Sequence, residues 1–471
     1  MLSNSKYFIF LFLPTLTFAE INNVDKSQLS KYQYANKREN IENEKLNTSI
    51  DSFNLDNNLL SLEQLLYKAL LLRKKELIQT ILDRYRNESN ADNSLILFTQ
   101  GALSYIDKNY NDAINKFQSA LEINPNLNPV RIELAKAFFL TQQNNNALEQ
   151  FYKVRSEQDI PEPIKQLIDS YVSAIEKRNE WHFNVNGYYI DDKNINNVSS
   201  DIKIENTGFK KNESMLPKSA QGFGYNISLV KDVNLINRHY LRFDNENIGK
   251  IFWTDHSFDD IYNRSSLGYV YKQSNYNFSF LPFYERRWYG NHRYQLAKGI
   301  RSEYQKWLSD TWQSSTTIEY SQNRYFESTY LNGNNKLIST RLVWFSNPSQ
   351  VFYIGINFNR DKTLVKQYSS DTKGIYLGFS KEWFKLFSSR MDISMSVKKF
   401  KDKAILGDVL PLGKIRKDKN YDIRLSLWKN EMQLWGIIPK LQFSWKKQNS
   451  NLDTIYSYTE KDIKLIFDKS F

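Results

Sequence analysis

The stretch Lys461–Phe471 reads KDIKLIFDKSF and alternates apolar and polar side chains. Ile463, Leu465 and Phe467 form most of the apolar set, and Phe471 is in phase with them. A period of two indicates a β-strand with one face against an apolar medium and the other face mostly against water. A soluble sheet can show the same alternation, so the choice between a soluble and a membrane protein rests on the sequence around this strand.

The same alternation recurs through the C-terminal half of the chain and predicts an antiparallel transmembrane β-barrel. Leu441, Phe443 and Trp445, for example, alternate with polar residues. We predict fourteen strands at about 181–190, 222–231, 236–246, 260–272, 275–287, 293–307, 311–324, 336–346, 350–360, 372–384, 387–400, 418–429, 437–447 and 460–471. No later segment has 18 consecutive apolar residues, so we predict no transmembrane helix. A closed barrel is the other membrane structure that leaves no backbone group unpaired.

The predicted connections alternate between short and long, with a shorter link at Trp288–His292 as the exception. Short links are expected at Asp232–Leu235, Gln273–Ser274, Ser309–Asp310 and Asn347–Ser349. Long loops are expected at Asp191–Gln221, Asn247–Asp259, Tyr325–Asn335, Asp361–Asp371, Lys401–Lys417 and Gln448–Thr459. Short turns on one side and long loops on the other are typical of bacterial outer-membrane barrels, whose short turns face the periplasm.

Two further sets of residues suit a barrel wall. We predict that glycines give room inside the wall and that aromatic residues at strand ends form girdles at the membrane interfaces. The glycines are Gly299, Gly355 and Gly378. The girdle candidates are Trp181, Trp288, Trp307, Trp344 and Trp445.

The N-terminus has the features of a secretory signal. Lys6 precedes the apolar stretch Tyr7–Leu13, and the triplet Thr17–Ala19 provides a cleavage site after Ala19. We therefore predict a signal peptide over residues 1–19. Residues 20–58 are rich in Asn, Lys, Glu and Ser, which predicts a disordered linker.

Residues 59–178 have a helical period and contain an internal repeat of 34 residues, which predicts a periplasmic tetratricopeptide-like domain before the barrel at 181–471. The matching residues are Gly101, Ala113 and Phe117 in one unit and Ala135, Ala147 and Phe151 in the next. Small residues let paired helices approach, and the aromatic residue fills the groove between units. We expect helices around 60–85 and 163–177 to cap the two repeats. Such an array either holds a protein segment on its concave surface or acts as a rigid spacer.

Composition limits the chemistry of the chain. Of 471 residues, 15% are aromatic and none is Cys, which excludes disulfides, thiolate metal sites and Cys nucleophiles. The net charge of +12 indicates either attraction to an anionic surface or a general bias toward Lys. The four His show no metal-ligand spacing, and no phosphate-binding loop or Gly-x-Ser-x-Gly motif is present. We therefore expect no enzyme activity, no metal and no cofactor.

One dense group of charges stands out in the stretch 283–290. Its charged residues are either contacts for a passing client in the lumen or at its rim, or a Glu–Arg network that supports the wall. Other basic residues on predicted strands are candidates for the same lumen. The full set of candidate contacts is Glu285, Arg286, Arg287, Arg341, Lys398, Arg424 and Lys446.

Several motifs resemble those of surface lipoprotein assembly modulators, the Slam family. The resemblance covers about residues 60–471, and the tail motif is its most specific part. The motifs are Trp435-Gly436-Ile437-Ile438-Pro439-Lys440-Leu441, Asn449-Ser450-Asn451, Tyr456-Ser457-Tyr458, Lys469-Ser470-Phe471, Arg416-Lys417-Asp418, Leu425-Ser426-Leu427-Trp428 and Glu285-Arg286-Arg287-Trp288-Tyr289-Gly290.

The resemblance implies an outer-membrane protein of Gram-negative bacteria that delivers client surface lipoproteins, or haemophore-like secreted proteins, to the cell surface. The helical domain is expected to engage the client, and the barrel to serve as conduit or folding template. We expect as partners the client, outer-membrane lipid and the barrel-assembly machinery, and no nucleic acid. The alternative is an exopolysaccharide export porin with a helical-repeat periplasmic domain, which predicts more repeats. A passive porin or a barrel enzyme is a third possibility.

Overall fold

The computed structural model describes residues 59–157, 160–205, 207–383, 387–407 and 409–470. The predicted signal peptide, the linker that follows it and Phe471 lie outside these residues. Within them, an α-helical repeat domain precedes a closed β-barrel, as the sequence predicts.

The helical domain consists of seven antiparallel helices in the described part of the chain. They are α1 (Leu59–Leu72), α2 (Lys75–Tyr85), α3 (Asn93–Ile106), α4 (Tyr110–Ile123), α5 (Asn128–Leu140), α6 (Asn144–Arg155) and α7 (Glu162–Arg178). The predicted repeat units are α3–α4 and α5–α6. Gly101 has its predicted role, because a Cβ at this position would lie 2.5 Å from the ring of Phe117. None of the helices in the described residues is long and apolar enough to cross a membrane.

Glu133 on α5 joins the first helix pair to the second repeat. Its carboxylate lies 2.8 Å from Lys136 Nζ and 3.5 Å from Arg73 Nη2, in the turn between α1 and α2. Burial acts to raise the pKa of the Glu133 carboxyl, but Lys136 and Arg73 outweigh this effect and hold that pKa below its ordinary value. The ion pair therefore stabilises the folded domain above the pKa of an unfolded Glu and is lost as the pH falls through the lowered folded value.

We expect Glu133→Gln to lower the melting temperature of the helical domain at pH 7 and to have no effect at a pH below the lowered folded pKa, where the wild-type carboxyl is protonated as well. Thermal melts of the helical circular dichroism signal of the full chain at the two pH values measure this. The matched control is Glu149→Gln, which removes an exposed pair with Lys153. It should change little at either pH, and an equal loss at both pH values for Glu133→Gln would contradict the assignment.

The barrel has fourteen strands, each antiparallel to its neighbours, and β1 pairs with β14 to close it. The strands are β1 (His182–Asp192), β2 (Ala220–Ile236), β3 (His239–Phe252), β4 (Asp260–Lys272), β5 (Tyr276–Tyr289), β6 (His292–Trp307), β7 (Trp312–Tyr325), β8 (Gly333–Asn347), β9 (Gln350–Thr363), β10 (Ser370–Trp383), β11 (Phe387–Leu406), β12 (Leu410–Trp428), β13 (Ile438–Ser450) and β14 (Tyr458–Ser470). The described part of the C-terminal half thus confirms the fourteen-strand prediction.

The two faces of the wall separate as the sequence predicts. On β14, Ile463, Leu465 and Phe467 are exposed on the outer face, while Lys464 and Asp468 on the inner face are partly buried. Six residues that lie directly opposite one another on successive strands from β8 to β13 all point outward, and all are apolar. They are Leu342, Ile354, Leu377, Ile393, Ile423 and Trp445. An apolar exterior around a polar interior places the barrel in the outer membrane.

Four predictions about the connections and the wall are corrected. The short link expected at Asp232–Leu235 lies within β2, because pairing with β3 continues to Ile236, and the turn is at 237–238. The long loop expected at Lys401–Lys417 is largely a hairpin, because β11 and β12 continue to pair as far as Leu406 and Leu410. Strand extension likewise shortens the loops expected at 247–259, 325–335 and 361–371, since backbone pairing continues beyond the membrane. Trp307 faces the interior and packs on Phe345, with ring centroids 5.3 Å apart, so it is not part of a girdle.

Glycines in the wall provide space for aromatic rings on neighbouring strands. A Cβ at Gly378 would lie 2.1 Å from the Tyr353 ring, and one at Gly355 would lie 2.3 Å from the Tyr376 ring. The prediction that these glycines give room inside the wall is therefore confirmed.

A ring of basic residues surrounds most of the outer face near the long-loop end. Each of the ten strands β5–β14 contributes one Lys or Arg, and all but one of these side chains are exposed. We call this set the basic ring. Its members are Arg286, Lys298, Arg324, Lys336, Arg360, Lys373, Lys399, Lys419, Lys447 and Lys461.

The basic ring lies at one level along the barrel axis. Each ring member can be compared with the residue directly opposite its predecessor on the neighbouring strand. Summed over the nine steps from Arg286 on β5 to Lys461 on β14, the ring members are displaced by a net ten residues toward the periplasm. With a rise of about 3.3 Å per residue and about 4.8 Å between strands, this shift corresponds to a tilt of about 37°. Strands in membrane barrels are tilted by about 35–45°. The displacement along the strands therefore offsets their tilt, and the ring members lie at a similar depth in the membrane.

Candidate functional site

The interior of the barrel is lined with charged and polar residues and includes six of the seven predicted contacts. Glu285, Arg287, Arg341, Lys398, Arg424 and Lys446 all lie on the inner face. Arg286 lies on the outer face and belongs to the basic ring, because consecutive residues of a strand point to opposite sides. Its Nε donates to the hydroxyl of Tyr284 at 2.8 Å.

Four charged residues on four successive strands form the first interior network. Arg264 on β4 binds Glu285 on β5 at 2.7 Å and Glu319 on β7 at 3.0 Å. Arg301 on β6 lies 3.4 Å from Glu319. The hydroxyl of Tyr262 donates to Glu285 at 2.9 Å. Arg264 on β4 contacts Glu319 on β7, three strands away, so these side chains bridge several strands across the concave inner surface of the wall.

A second network lies further along the wall, on β9–β12. Arg424 Nε donates to Asp422 at 2.8 Å, and Arg390 Nε lies 3.1 Å from Asp392. The Tyr353 hydroxyl donates to Asp392 and accepts from Arg390. Each cation here is held beside a carboxylate, so this side of the lumen is of mixed charge.

Three of the predicted residues have distinct surroundings. Arg287 binds Asp260, with 2.7 Å between Nε and Oδ1. The Nε of Arg341 is buried and has no hydrogen-bond partner among the described residues. Lys398 lies 5.0 Å from the centre of the Phe400 ring. The sequence could not distinguish among these environments, because they depend on which strands become neighbours.

The first long loop, residues 193–219, covers the long-loop end of the lumen. In its described part, Asn197 Oδ1 accepts from Lys446 at 3.4 Å inside the barrel. The Ser199 amide donates to Ile455 in the β13–β14 loop at 3.2 Å, and Ile204 packs on Ile455 and Leu406. This loop is therefore folded across the mouth rather than extended into solvent.

The helical domain is docked on the short-turn end. Lys108 binds Asp310 in the β6–β7 turn at 2.8 Å. At the β2–β3 turn, Arg238 donates to Asn111 on α4. The Gln142 carbonyl, in the turn between α5 and α6, accepts from the hydroxyl of Tyr240 at 2.6 Å. Short turns face the periplasm, so the helical domain lies in the periplasm and its α5–α6 turn covers part of the barrel mouth.

A groove of about 440 Å³ lies between the helical domain and the rim of the barrel. Amide side chains dominate its lining, and amides both donate and accept hydrogen bonds. The lining amides are Asn111, Asn115, Gln118, Gln143, Asn146 and Asn237. The groove is not among the sites predicted from the sequence, although the spacing of Asn111, Asn115 and Gln118 on one face of α4 is a signal for it.

Comparison with known proteins agrees with this architecture. A family model described as "Surface lipoprotein assembly modifier" matches residues 181–471, and one described as "Surface lipoprotein assembly modifier, N-terminal TPR repeats" matches residues 48–151. The chain belongs to the surface lipoprotein assembly modifier family. The resemblance noted in the motifs is therefore confirmed.

Relatives within and around this family span most of the chain. "Surface lipoprotein assembly modifier 1" of Haemophilus influenzae is 31% identical and covers 86% of this chain and 84% of its own length. "Surface lipoprotein assembly modifier 1" of Neisseria meningitidis is 24% identical, with coverage of 87% and 83%. "Hemophilin secretion modulator" of Acinetobacter baumannii is 23% identical, with coverage of 91% and 89%.

Among the described residues, no group of three or more His, Asp or Glu side chains is arranged to hold a metal ion. In the barrel, many of the charged groups lie in the lumen networks and the basic ring.

Proposed function

We propose that this chain delivers client surface lipoproteins, or haemophore-like secreted proteins, across the outer membrane to the cell surface. The single observation that carries the proposal is the two-part architecture of an assembly modifier. A periplasmic repeat domain is docked directly over the entrance of an outer-membrane barrel with a charged lumen. The chain acts as a binding and translocation factor and not as an enzyme.

The client first binds to the helical domain. The groove beside α4 presents amides that can pair with an extended polypeptide backbone, whatever the side chains of that polypeptide are. Ile114 and Phe138 form part of the same lining, which adds apolar contact. The groove opens beside the β2–β3 turn, so a bound segment would already lie next to the barrel entrance.

The lumen then serves as conduit or folding template. Glu285, Arg287 and Arg341 line one part of it, and Lys398, Arg424 and Lys446 line the other, so both signs of charge are available to a passing chain. Because Glu285, Arg287 and Arg424 already form ion pairs with other residues of the wall, client contact would exchange one set of ion pairs for another. Passage also requires the α5–α6 turn and the 193–219 loop to move away from the two mouths. Outer-membrane lipid and the barrel-assembly machinery complete the proposed set of partners.

Removal of residues 59–178 should abolish surface exposure of a co-expressed client lipoprotein. The physical reason is that the client loses its periplasmic binding surface while the barrel remains. Antibody binding to the client on intact cells measures exposure, and a heat-dependent shift in gel mobility shows that the barrel has folded.

The matched variants for this experiment change the groove alone. Asn111→Ala with Asn115→Ala and Gln118→Ala should reduce exposure, whereas Asn145→Ala with Glu149→Ala, on α6 outside the groove lining, should not. Undiminished exposure after deletion of the helical domain would show that this domain is dispensable. Loss of a surface polysaccharide instead of the client would support the exporter alternative.

A further inference from the structure

The basic ring has no use in the passage of a client, because its side chains face away from the lumen. It occupies ten consecutive strands near the long-loop end, where the outer leaflet of the membrane lies. The corresponding outward positions on β1–β4 carry no charge: they are Tyr189, Phe223, Ile251, Ile261 and Asn263, and Asn263 lies directly opposite Arg286. The cations therefore form an arc with defined ends rather than a general positive surface.

The position of the ring relative to the apolar band identifies its depth. On each of β6, β10 and β14 a second outward lysine lies eight residues further toward the periplasm, as Lys381 does relative to Lys373. Eight residues span about 26 Å along a strand, or about 21 Å across the membrane at the tilt of the barrel. Apolar bands of membrane barrels are about 25 Å tall, so the basic ring lies at the headgroups of the outer leaflet.

The ring carries charge that the protein itself does not neutralise. Lys336 lies directly opposite Arg360 on the neighbouring strand, and Lys399 lies directly opposite Lys417. Like charges in directly opposite positions destabilise a sheet. Asp371 lies directly opposite both Arg360 and Lys399 and accepts from Arg360 and Lys401. Lys336 and Lys373 have no acidic partner in the part of the chain that the structure describes.

We propose that the basic ring binds the phosphate groups of the phosphorylated glycolipid of the outer leaflet, lipopolysaccharide. The chemistry is that of anionic phosphates against a row of Lys and Arg with hydrocarbon immediately below. A free phosphate ion would satisfy the charges but not the apolar residues beneath them. The lipid satisfies both, and its binding neutralises the like-charged pairs. This inference depends on the position of the barrel in the membrane and is independent of the client.

The test uses the full chain purified in detergent and mixed with lipid A. Lys336→Gln with Lys373→Gln and Lys399→Gln should lower the amount of bound lipid A by about tenfold or more, because each cation near an anionic surface adds to the affinity. The matched control is Lys306→Gln with Lys381→Gln and Lys469→Gln, which removes the same charge from the periplasmic edge. Native mass spectrometry counts the bound lipid, and the heat-dependent gel shift verifies folding.

A second variant changes binding in the opposite direction. Asp371→Asn removes the acid that occupies Arg360 and Lys401, so bound lipid A should increase, a result that misfolding cannot produce. Equal binding by the ring variant and its control, or equal binding of a glycolipid without phosphate, would overturn the proposal. Saturation of the same residues by inorganic phosphate with no preference for lipid A would also overturn it, since the ligand would then be the free ion. Loss of client exposure without loss of lipid A would leave this proposal intact and concern only the transport function.

Discussion

Replacement of Arg264 by Met should destabilise the barrel by about 3–5 kcal/mol, the cost typical of breaking a buried ion pair by removing one partner. Arg264 binds both Glu285 and Glu319, and these carboxylates are 5% and 8% exposed. Without the guanidinium, two acidic side chains lose a partner within the wall. Urea unfolding in detergent, followed by tryptophan fluorescence, should show a lower midpoint for the variant.

The control for this prediction is Arg286→Met on the neighbouring strand, where an exposed arginine has one hydrogen bond to Tyr284. It should cost less than about 1 kcal/mol. The combined variant Arg264→Met, Glu285→Gln and Glu319→Gln should recover most of the loss, because no uncompensated charge remains. If Arg264→Met leaves stability unchanged but weakens client exposure, the network is a client site rather than a support of the wall.

Phe117→Ala should destabilise the helical domain by about 3–5 kcal/mol, as expected for a large buried aromatic side chain replaced by Ala. The Phe117 side chain is fully buried, contacts the α3 backbone at Gly101 and lies 5.9 Å from the Phe98 ring. Its removal leaves a cavity between the two helices of the first repeat. Hydrogen exchange in α3 and α4 of the full chain should become about a hundredfold faster or more.

Tyr152→Ala is the matched control, because this aromatic side chain on α6 is 50% exposed. Exchange in the repeats should stay within about twofold of the wild type, as expected for a surface substitution. Barrel exchange should not change in either variant. An equal increase for both substitutions would mean that the first repeat does not depend on the Gly101–Phe117 contact.

Much of the barrel could be predicted because strand periodicity is local. The alternation in β10 or β14 shows in the sequence without knowledge of the neighbouring strands, since pleated backbone geometry sends successive side chains to opposite faces. The Gly101–Phe117 contact could also be predicted, because a repeat of 34 residues reveals which helical positions pair. The end of β11 could not be predicted, because its pairing with β12 continues beyond the apolar band of the barrel. There both faces of the strand meet water, so apolar and polar residues no longer alternate.

The candidate site was predictable only residue by residue. The sequence predicts one cluster of charges in the lumen or at its rim, whereas the pleat of β5 turns Glu285 and Arg287 inward and Arg286 outward. The partners of these residues had no sequence signal. Arg264 and Glu319 are 55 positions apart and meet only because the sheet closes.

The sequence by itself determined that this protein has a helical repeat followed by fourteen amphipathic strands, because helix and strand periods follow from the geometry of each residue's own backbone. Only the tertiary structure decided which charges meet in the lumen, that the α5–α6 turn and the 193–219 loop cover its mouths, and that ten basic residues form one level ring. These features depend on the tilt and register with which the strands close, and closure is a property of all fourteen strands together.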